Sequence, residues 1–302
     1  MNIFIRIKKA IDRRWYKWKS EWMSRHASDE AYLKYIFRHR MGYNLNLENP
    51  RTYNEKLQWL KLHDVHEEYS HLVDKYEVKE IIRERIGDEY IIPTLGIYNS
   101  FDEIDFDSLP DQFVLKTTHD SGGVFVCPDK AKLDIAAARK KIEDSLHNNY
   151  YKKYREYPYK NVKPRILAES YMEDESGYEL KDYKFFCFNG KCKMILIISD
   201  RLTGNVKMDF FGPDFSHLNI KYGHPWSTHA IKKPENFEKM LEIVQLLSQG
   251  LPHVRVDLYN ISGKIYFGEL TFFSASGLLP IEPREWDYKL GEYIKIPTKK
   301  TR

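Results

Sequence analysis

The sequence has little of what marks most familiar function classes. Only three cysteines occur in 302 residues: Cys127, Cys187 and Cys192. Their number is odd, and no Cys-x-x-Cys or Cys/His metal spacing accompanies them. A disulfide scaffold and a structural zinc site are therefore not expected, and buried or incidental thiols in a reducing compartment are. No apolar run is long enough to span a bilayer. The basic N-terminus lacks the apolar core and cleavage site of a secretory signal, so a cytoplasmic location is expected. There is no GxxxxGK[ST] phosphate loop, no GxGxxG fingerprint, no HExxH zinc helix and no GxSxG elbow. Net charge is only +4, too weak to argue for nucleic acid. No low-complexity tract or internal repeat stands out.

What is present is the composition of a soluble globular chain, with 42% hydrophobic and 30% charged residues. Aromatic residues are plentiful at 15%, with 22 Tyr, which is generous material for cores and pockets. The length suffices for two or three small lobes. Residues 1–25 read as a basic amphipathic helix. Phe4, Ile7, Ile11, Trp15, Trp18 and Trp22 recur at spacings of three and four and share one face, among Arg6, Lys8, Lys9, Arg13, Arg14, Lys17 and Lys19. Such a helix suits either a membrane interface or docking on the protein body or a second subunit. Further helices are expected within 28–62, over 70–86 with Gly87 as stop, over 131–150 and over 236–249. Short strands are expected at 90–92, 96–98, 112–116, 124–126, 165–171, 183–188 and 191–199. Asn189-Gly190 is a strong hairpin turn between the last two. A second hairpin pairs 254–259 with 264–271. Residues 150–159 read as an ordered loop and 200–230 as irregular and polar. Helices followed by hairpin-dominated mixed structure argue for an α+β fold with antiparallel sheets.

Three constellations can carry chemistry. Lys116 ends a strand and opens into His119-Asp120-Ser121-Gly122-Gly123. A cation and Gly-rich backbone there can meet phosphate, but so would any Gly-rich hairpin loop look. Arg255 and Asp257 share one face of a strand, and Glu269 and Thr271 one face of its hairpin partner. Two hard carboxylates close together suit Mg²⁺ bridging phosphates, whereas a plain cross-strand salt bridge needs no ligand. Asp182 and Lys184 likewise share a face, as ribose and phosphate partners or as an ion pair. Arg201, in Ser199-Asp200-Arg201 after a strand, can hold a substrate anion. The histidines at 63, 66 and 71 and at 217, 224 and 229 show no ligand spacing and read as solvated.

Taken in order, these pieces resemble an ATP-grasp fold. From about residue 30 the text is similar to the teichuronopeptide-biosynthesis (TupA-like) ATP-grasp family. The carrying phrases are Thr52-Tyr53-Asn54-Glu55-Lys56-Leu57-Gln58-Trp59-Leu60, Val73-Asp74-Lys75-Tyr76 and Leu109-Pro110-Asp111-Gln112-Phe113-Val114-Leu115-Lys116. With them go Asp182-Tyr183-Lys184-Phe185-Phe186-Cys187-Phe188-Asn189-Gly190, Val254-Arg255-Val256-Asp257-Leu258-Tyr259 and Phe267-Gly268-Glu269-Leu270-Thr271-Phe272.

The resemblance implies two α+β lobes with antiparallel sheets after a helical N-terminal region. It divides the chain into an N-terminal helix (1–27), a helical region (28–92), a nucleotide lobe (93–181) and a metal and substrate lobe (182–302). It implies that Lys75 and Lys116 contact ATP phosphates, with Lys116 also near adenine, and that Ser121, Gly122 and Gly123 close over them. Glu169 with the backbone of Tyr171 and Met172 would line the adenine hinge, and Asp182 would hold ribose. Asp257 and Glu269 would ligate Mg²⁺, with Thr271 standing where many relatives have Asn. Arg255, Lys184 and Arg201 would act on the transferred phosphoryl group and the substrate. The implied activity is an ATP- and Mg²⁺-dependent carboxylate–amine ligase passing through an acyl phosphate. Its implied setting is cell-surface polysaccharide, joining an amino acid or peptide to a uronic acid. The helix 1–25 would place it at the inner face of the membrane. A kinase using the same ATP site is an alternative. So is a glycosyltransferase, for which Asp105-Phe106-Asp107 is a nominal DxD.

Overall fold

The computed structural model describes residues 3–177, 179–201 and 203–296, with the side chains of 3–11 and 13 excepted. It opens with α1 (Ile3–His26) and α2 (Asp29–Met41). Ser28 caps α2, its hydroxyl accepting from the N–H of Ala31, and Gly42 ends the helix in a left-handed conformation. The buried Tyr32, Leu33, Ile36 and Phe37 of α2 form a small core with Leu45 and Leu278. Trp15, Trp18 and Trp22 of α1 stay exposed.

The phrase beginning at Thr52 is a helix start. Thr52 accepts from the N–H of Glu55 and Glu55 accepts from the N–H of Thr52, a reciprocal cap that opens α3 (Tyr53–His63). The single helix expected over 70–86 is two, α4 (Tyr69–Val73) and α5 (Val78–Ile86). Asp74 breaks it: its backbone is extended, and its carboxylate accepts from the N–H groups of Tyr76 and Glu77 at 2.8 and 3.2 Å. The strand expected at 90–92 is also absent, a 3-10 turn at Asp88–Tyr90 taking its place.

Two antiparallel sheets follow. The first contains β1 (Thr94–Tyr98), β2 (Phe113–Thr117), β3 (Val124–Cys127) and β4 (Ile166–Ser170) in the order β1-β4-β2-β3. One face is covered by α6 (Ile135–Leu146), whose Ala138 and Ile142 pack on Phe113, Leu115 and Ile166. The tyrosine-rich stretch is helical where a loop is expected: α7 (Tyr150–Tyr154) is capped by the Asn149 side chain, and a 3-10 turn follows at Tyr157–Tyr159.

The second sheet has six strands: β5 (Asp182–Phe188), β6 (Lys191–Ser199), β7 (Lys207–Phe211), β8 (His217–Leu218), β9 (His253–Ile261) and β10 (Lys264–Thr271). Their order is β10-β9-β5-β6-β7-β8. Strands β7 and β8 fall within 200–230, where irregular structure is expected. Asp209 ties that region together by accepting from the N–H of Ser227 and contacting His217. Helix α8 (Phe237–Ser248) covers the sheet with Phe237, Met240, Ile243, Val244 and Leu247. Helix α9 (Glu285–Tyr293), which no sequence signal announces, docks on α3. Gly291 makes that contact possible, since a Cβ there would lie 2.2 Å from the Arg51 carbonyl oxygen. Tyr53, Leu57 and Leu60 of α3, and Leu72, Val78 and Ile82 further on, join the core of this second sheet.

Candidate active site

The polar faces of the two sheets meet around a cavity of ≈ 520 Å³. Its floor is one face of the second sheet, and strand register decides which side chains reach it. Lys184 of β5 lies opposite Asp257 of β9, and Asp257 lies opposite Glu269 of β10. The last pairing depends on a bulge at Gly268, which shifts the register between Phe267 and Glu269. A Cβ at Gly268 would sit 3.0 Å from the Asp257 carbonyl oxygen. The bulge brings Glu269 and Thr271 onto the face that carries Asp257 and Arg255.

Arg255 organises this cluster. Its Nε donates to Asp257 at 2.6 Å, and its Nη2 donates to Asp257, Glu269 and Thr271 at 2.8, 2.8 and 2.9 Å. Lys184 contacts Asp257 and lies 3.4 Å from Asp182, which Arg201 holds from its other oxygen at 2.8 Å. The two carboxylates on Arg255 titrate apart. Burial holds the Asp257 carboxyl above its ordinary range despite Arg255 and Lys184. Burial also raises Glu269, but Arg255, Lys184 and Lys75 outweigh it and bring its carboxyl down to about 2. The charges around them separate the two: Glu269 itself pushes Asp257 up, whereas Lys75 adds to the cations that lower Glu269.

The opposite wall comes from the first sheet and the α4–α5 break. Lys75, presented by that break, donates to the carbonyl oxygens of Thr117 and Asp120. Lys116 pairs with Glu169 at 2.6 Å. The loop after β2 is locked from inside, because buried Asp120 accepts from Thr117, Ser145 and Asn148 at 2.5, 2.6 and 3.3 Å. Asp120 therefore points away from the cavity, while Ser121 and Gly122 line it, Gly122 at φ +112°. Gly123 is buried beneath them: a Cβ there would meet the Thr117 hydroxyl at 2.0 Å and that of Ser145 at 2.1 Å.

Of the site residues expected from sequence, Lys75, Lys116, Ser121, Gly122, Asp182, Lys184, Arg201, Arg255, Asp257 and Glu269 line this one cavity. Thr271 stands one hydrogen bond behind it, donating to Glu269 at 2.9 Å. Glu169 faces an adjoining narrow cleft shared with Lys75 and Lys116. Tyr171 and Met172, just past β4, line neither space.

Sequence reading missed several residues. Lys79 lies in the narrow cleft, 2.5 Å from Glu169 and donating to Thr94 at 2.8 Å. Its place four residues after Lys75 is a spacing that shares one helix face, a signal the sequence carried. Lys141 of α6, Tyr222 and Ser274 also line the cavity, and no local motif marks them; Tyr259 lines it too, on the strand face that carries Arg255 and Asp257. Asp105-Phe106-Asp107 lies well away, as a surface turn in which Asp105 accepts from the N–H of Asp107.

The donor set fits Mg²⁺ in one respect. Two carboxylates face one cavity as cross-strand partners, beside lysines able to hold phosphate. Among the described residues, however, no three His, Cys, Asp or Glu side chains form a protein-only metal cage. Shared ligation with substrate phosphates is the usual arrangement for this ion.

The model of the TupA-like ATPgrasp family matches residues 55–295. No curated protein matches the chain. Among solved structures, a D-alanine–D-alanine ligase from Bacillus anthracis complexed with ATP is 17% identical at a TM-score of 0.40, covering 67% of this chain and 54% of its own. The Helicobacter pylori D-alanine–D-alanine ligase is 16% identical at 0.39, covering 74% and 61%. The ATP-grasp ligase PsnB, complexed with a phosphomimetic variant of its minimal precursor, Mg and ADP, is 11% identical at 0.42, covering 80% and 66%. The chain thus spans between about half and two-thirds of the length of these structures.

Proposed function

The chain belongs to the TupA-like ATP-grasp family, and from that premise we propose that it is an ATP- and Mg²⁺-dependent carboxylate–amine ligase. We assign its acceptor as a uronic acid of a cell-surface glycan and its amine as that of an amino acid or peptide. The observation that carries the reading is the meeting of Lys75, Lys116, Lys184 and Arg255 with Asp182, Asp257 and Glu269 in one cavity. In this reading Lys75 and Lys116 hold the nucleotide phosphates, and the backbone at Ser121 and Gly122 closes over them. Glu169 and the hinge backbone at Tyr171 and Met172 serve the adenine, with Lys79 fixing Glu169. Asp182 serves the ribose.

Asp257 and Glu269, with Thr271 behind, would hold the Mg²⁺, which would supply neutralisation of charge on the phosphate oxygens. The acceptor carboxylate attacks the γ-phosphorus, and the P–O bond to ADP breaks. Arg255 and Lys184 stabilise the negative charge on the transferred group. The amine then attacks the acyl carbon, and phosphate leaves as the C–N bond forms. Arg201, beside Asp182 on the cavity lining, serves a substrate anion. This chemistry requires no covalent enzyme nucleophile.

Titration with a non-hydrolysable ATP analogue tests the nucleotide site. Binding that needs Mg²⁺ and disappears in Lys116→Ala is expected, and no binding under any condition overturns the reading. Turnover with uronic acids and amino acids should release phosphate together with an amide product. A phosphorylated sugar in its place identifies a kinase, and Asp257→Asn should abolish turnover either way.

The second part of the proposal concerns α1, which carries exposed Trp15, Trp18 and Trp22 at 55%, 63% and 51%. No helix of the described residues is long and apolar enough to cross a membrane. Indoles beside the basic residues of this segment suit the surface of an anionic bilayer. Liposome flotation should recover the full chain and not a form lacking residues 1–25, and equal recovery of both rules this part out.

A further inference from the structure

A second concavity lies between α1, α2 and α7, apart from the cavity described above and of comparable size at ≈ 660 Å³. It is strongly basic. Lys17 and Arg25 of α1, Arg40 of α2, and Lys152 and Lys153 of α7 line it, against the single carboxylate of Glu21. None of these five cations makes an ion pair with another described residue. The nearby acid Asp29 is already taken, paired with Arg155 at 2.6 Å and accepting from Tyr151 at 2.7 Å. Five uncompensated cations around a hollow create a standing positive potential that attracts a polyanion.

The rest of the lining narrows the class of ligand. Ser20, Ser24, Asn148 and Asn149 supply hydroxyl and amide groups, and Tyr16, Tyr32 and Tyr154 supply aromatic walls. Neutral hydrogen-bonding groups interleaved with cations and tyrosines match a ligand rich in both hydroxyls and carboxylates. A flat lipid surface matches a concave site poorly. On α1 the indoles of Trp15, Trp18 and Trp22 project on the side opposite Lys17, Ser20 and Ser24, because the two sets are offset by about half a helical turn. The groove and the indole face are therefore separate surfaces of one helix.

The groove also adjoins the phosphate-facing loop. Asn148, part of its wall, donates to Asp120 at 3.3 Å, and its carbonyl oxygen lies 3.2 Å from His119 Nε2. Leu278, on the groove, is followed by Leu279, on the cavity.

We propose that this groove binds an acidic oligosaccharide, holding several uronate residues of a chain while one of its carboxylates lies in the cavity. The proposal rests on the ligase reading for the identity of the chain, but groove binding needs no turnover and is measured without it. The test is isothermal titration of the full chain with short oligogalacturonates, matched neutral malto-oligosaccharides and, in a separate arm, phosphatidylglycerol vesicles. The expected result is salt-sensitive binding of the oligogalacturonate and not of the neutral oligomer, weakened about tenfold or more in Arg25→Ala/Lys152→Ala/Lys153→Ala while vesicle binding is unchanged, the loss expected when charge-assisted contacts go. Lys17→Glu, a single change two turns before Arg25 on α1, should weaken it as well. Both variants should bind the ATP analogue like the unaltered chain, which separates failure of the groove from failure of the nucleotide site. Absence of oligogalacturonate binding, equal binding by the variants, or binding of neutral oligomers just as well each overturns the proposal. So does loss of vesicle binding in these variants when oligogalacturonate is ignored, which would make the groove a lipid site.

Discussion

At the scale of single residues, the site is a balance of buried charge. Arg255 bridges Asp257 and Glu269, and Lys184 takes the remaining side of Asp257. Buried pairs of this kind cost desolvation that their attraction does not always repay, and such clusters gather where function needs them. Glu269 gives a pH-dependent consequence. Its carboxyl titrates near 4.5 in the unfolded chain and near 2 in the folded one, so between these values the unfolded state binds more protons. Its contribution to stability is complete above pH 4.5 and is lost as pH falls through about 2. Glu269→Gln should therefore flatten the acid limb of a stability profile measured by urea unfolding across that window. An unchanged slope contradicts the assignment. In turnover the same variant should lose most activity, because it removes one of the two cavity carboxylates proposed to hold Mg²⁺.

At the scale of elements, α3 has a reach its sequence does not announce. Gln58 Nε2 donates to the carbonyl oxygens of Ser276 and Gly277, both at 2.9 Å, and Lys61 donates to that of Ser276 at 2.8 Å. These carbonyls belong to a turn in which Ala275 and Ser276 are both left-handed, at φ +46° and +56°. Ala275 and Ser274 line the cavity, so α3 braces from behind a strained turn at the site. Lys56 meanwhile donates to the carbonyl oxygens of Gly291, in the last turn of α9, and of Ile294, just past it. The Thr52–Leu60 phrase is thus a brace more than a catalytic motif. Thr52→Ala removes the cap of this helix and should cost about 1 kcal/mol in denaturant unfolding. Gln58→Ala should leave nucleotide binding intact and lower turnover, since it loosens the turn and touches none of the cavity cations. Equal kcat in both proteins would show that the brace is purely structural.

At the scale of the whole molecule, the cavity exists only because two separately packed sheets face one another. The core of the first is built on Phe113, Leu115, Ile142 and Ile166, and that of the second on Phe185, Val256, Leu258 and the helices around them. Lys75 and Lys116 belong to one wall, and Asp257 and Glu269 to the other. A nucleotide bridging both walls should stabilise the folded chain by mass action. At a hundred times its Kd, the Mg²⁺-bound ATP analogue should add about 2.7 kcal/mol to unfolding free energy. Lys116→Ala should cancel that gain without lowering the stability of the free protein by a like amount. A gain that persists in the variant would place the nucleotide elsewhere.

The sequence by itself determined the α+β class, the two hairpins and the chain order of the charged residues. Strand alternation puts Arg255 with Asp257, Asp182 with Lys184, and Glu269 with Thr271 whatever the rest of the chain does. Turn chemistry at Asn189-Gly190 fixes the first hairpin and the alternating pattern of 254–271 the second. Only the tertiary structure decided the rest. Whether Glu269 faces Asp257 depends on the bulge at Gly268, where backbone crowding and not a side-chain pattern sets the register. Lys79, Lys141 and Tyr222 reach the site from separate parts of the chain, so no window of sequence holds them together. The breaks and turns at Asp74, Tyr150 and Asp209 depend on side chains that compete for backbone or nearby polar partners. Such competition is settled by which partners the fold brings within reach.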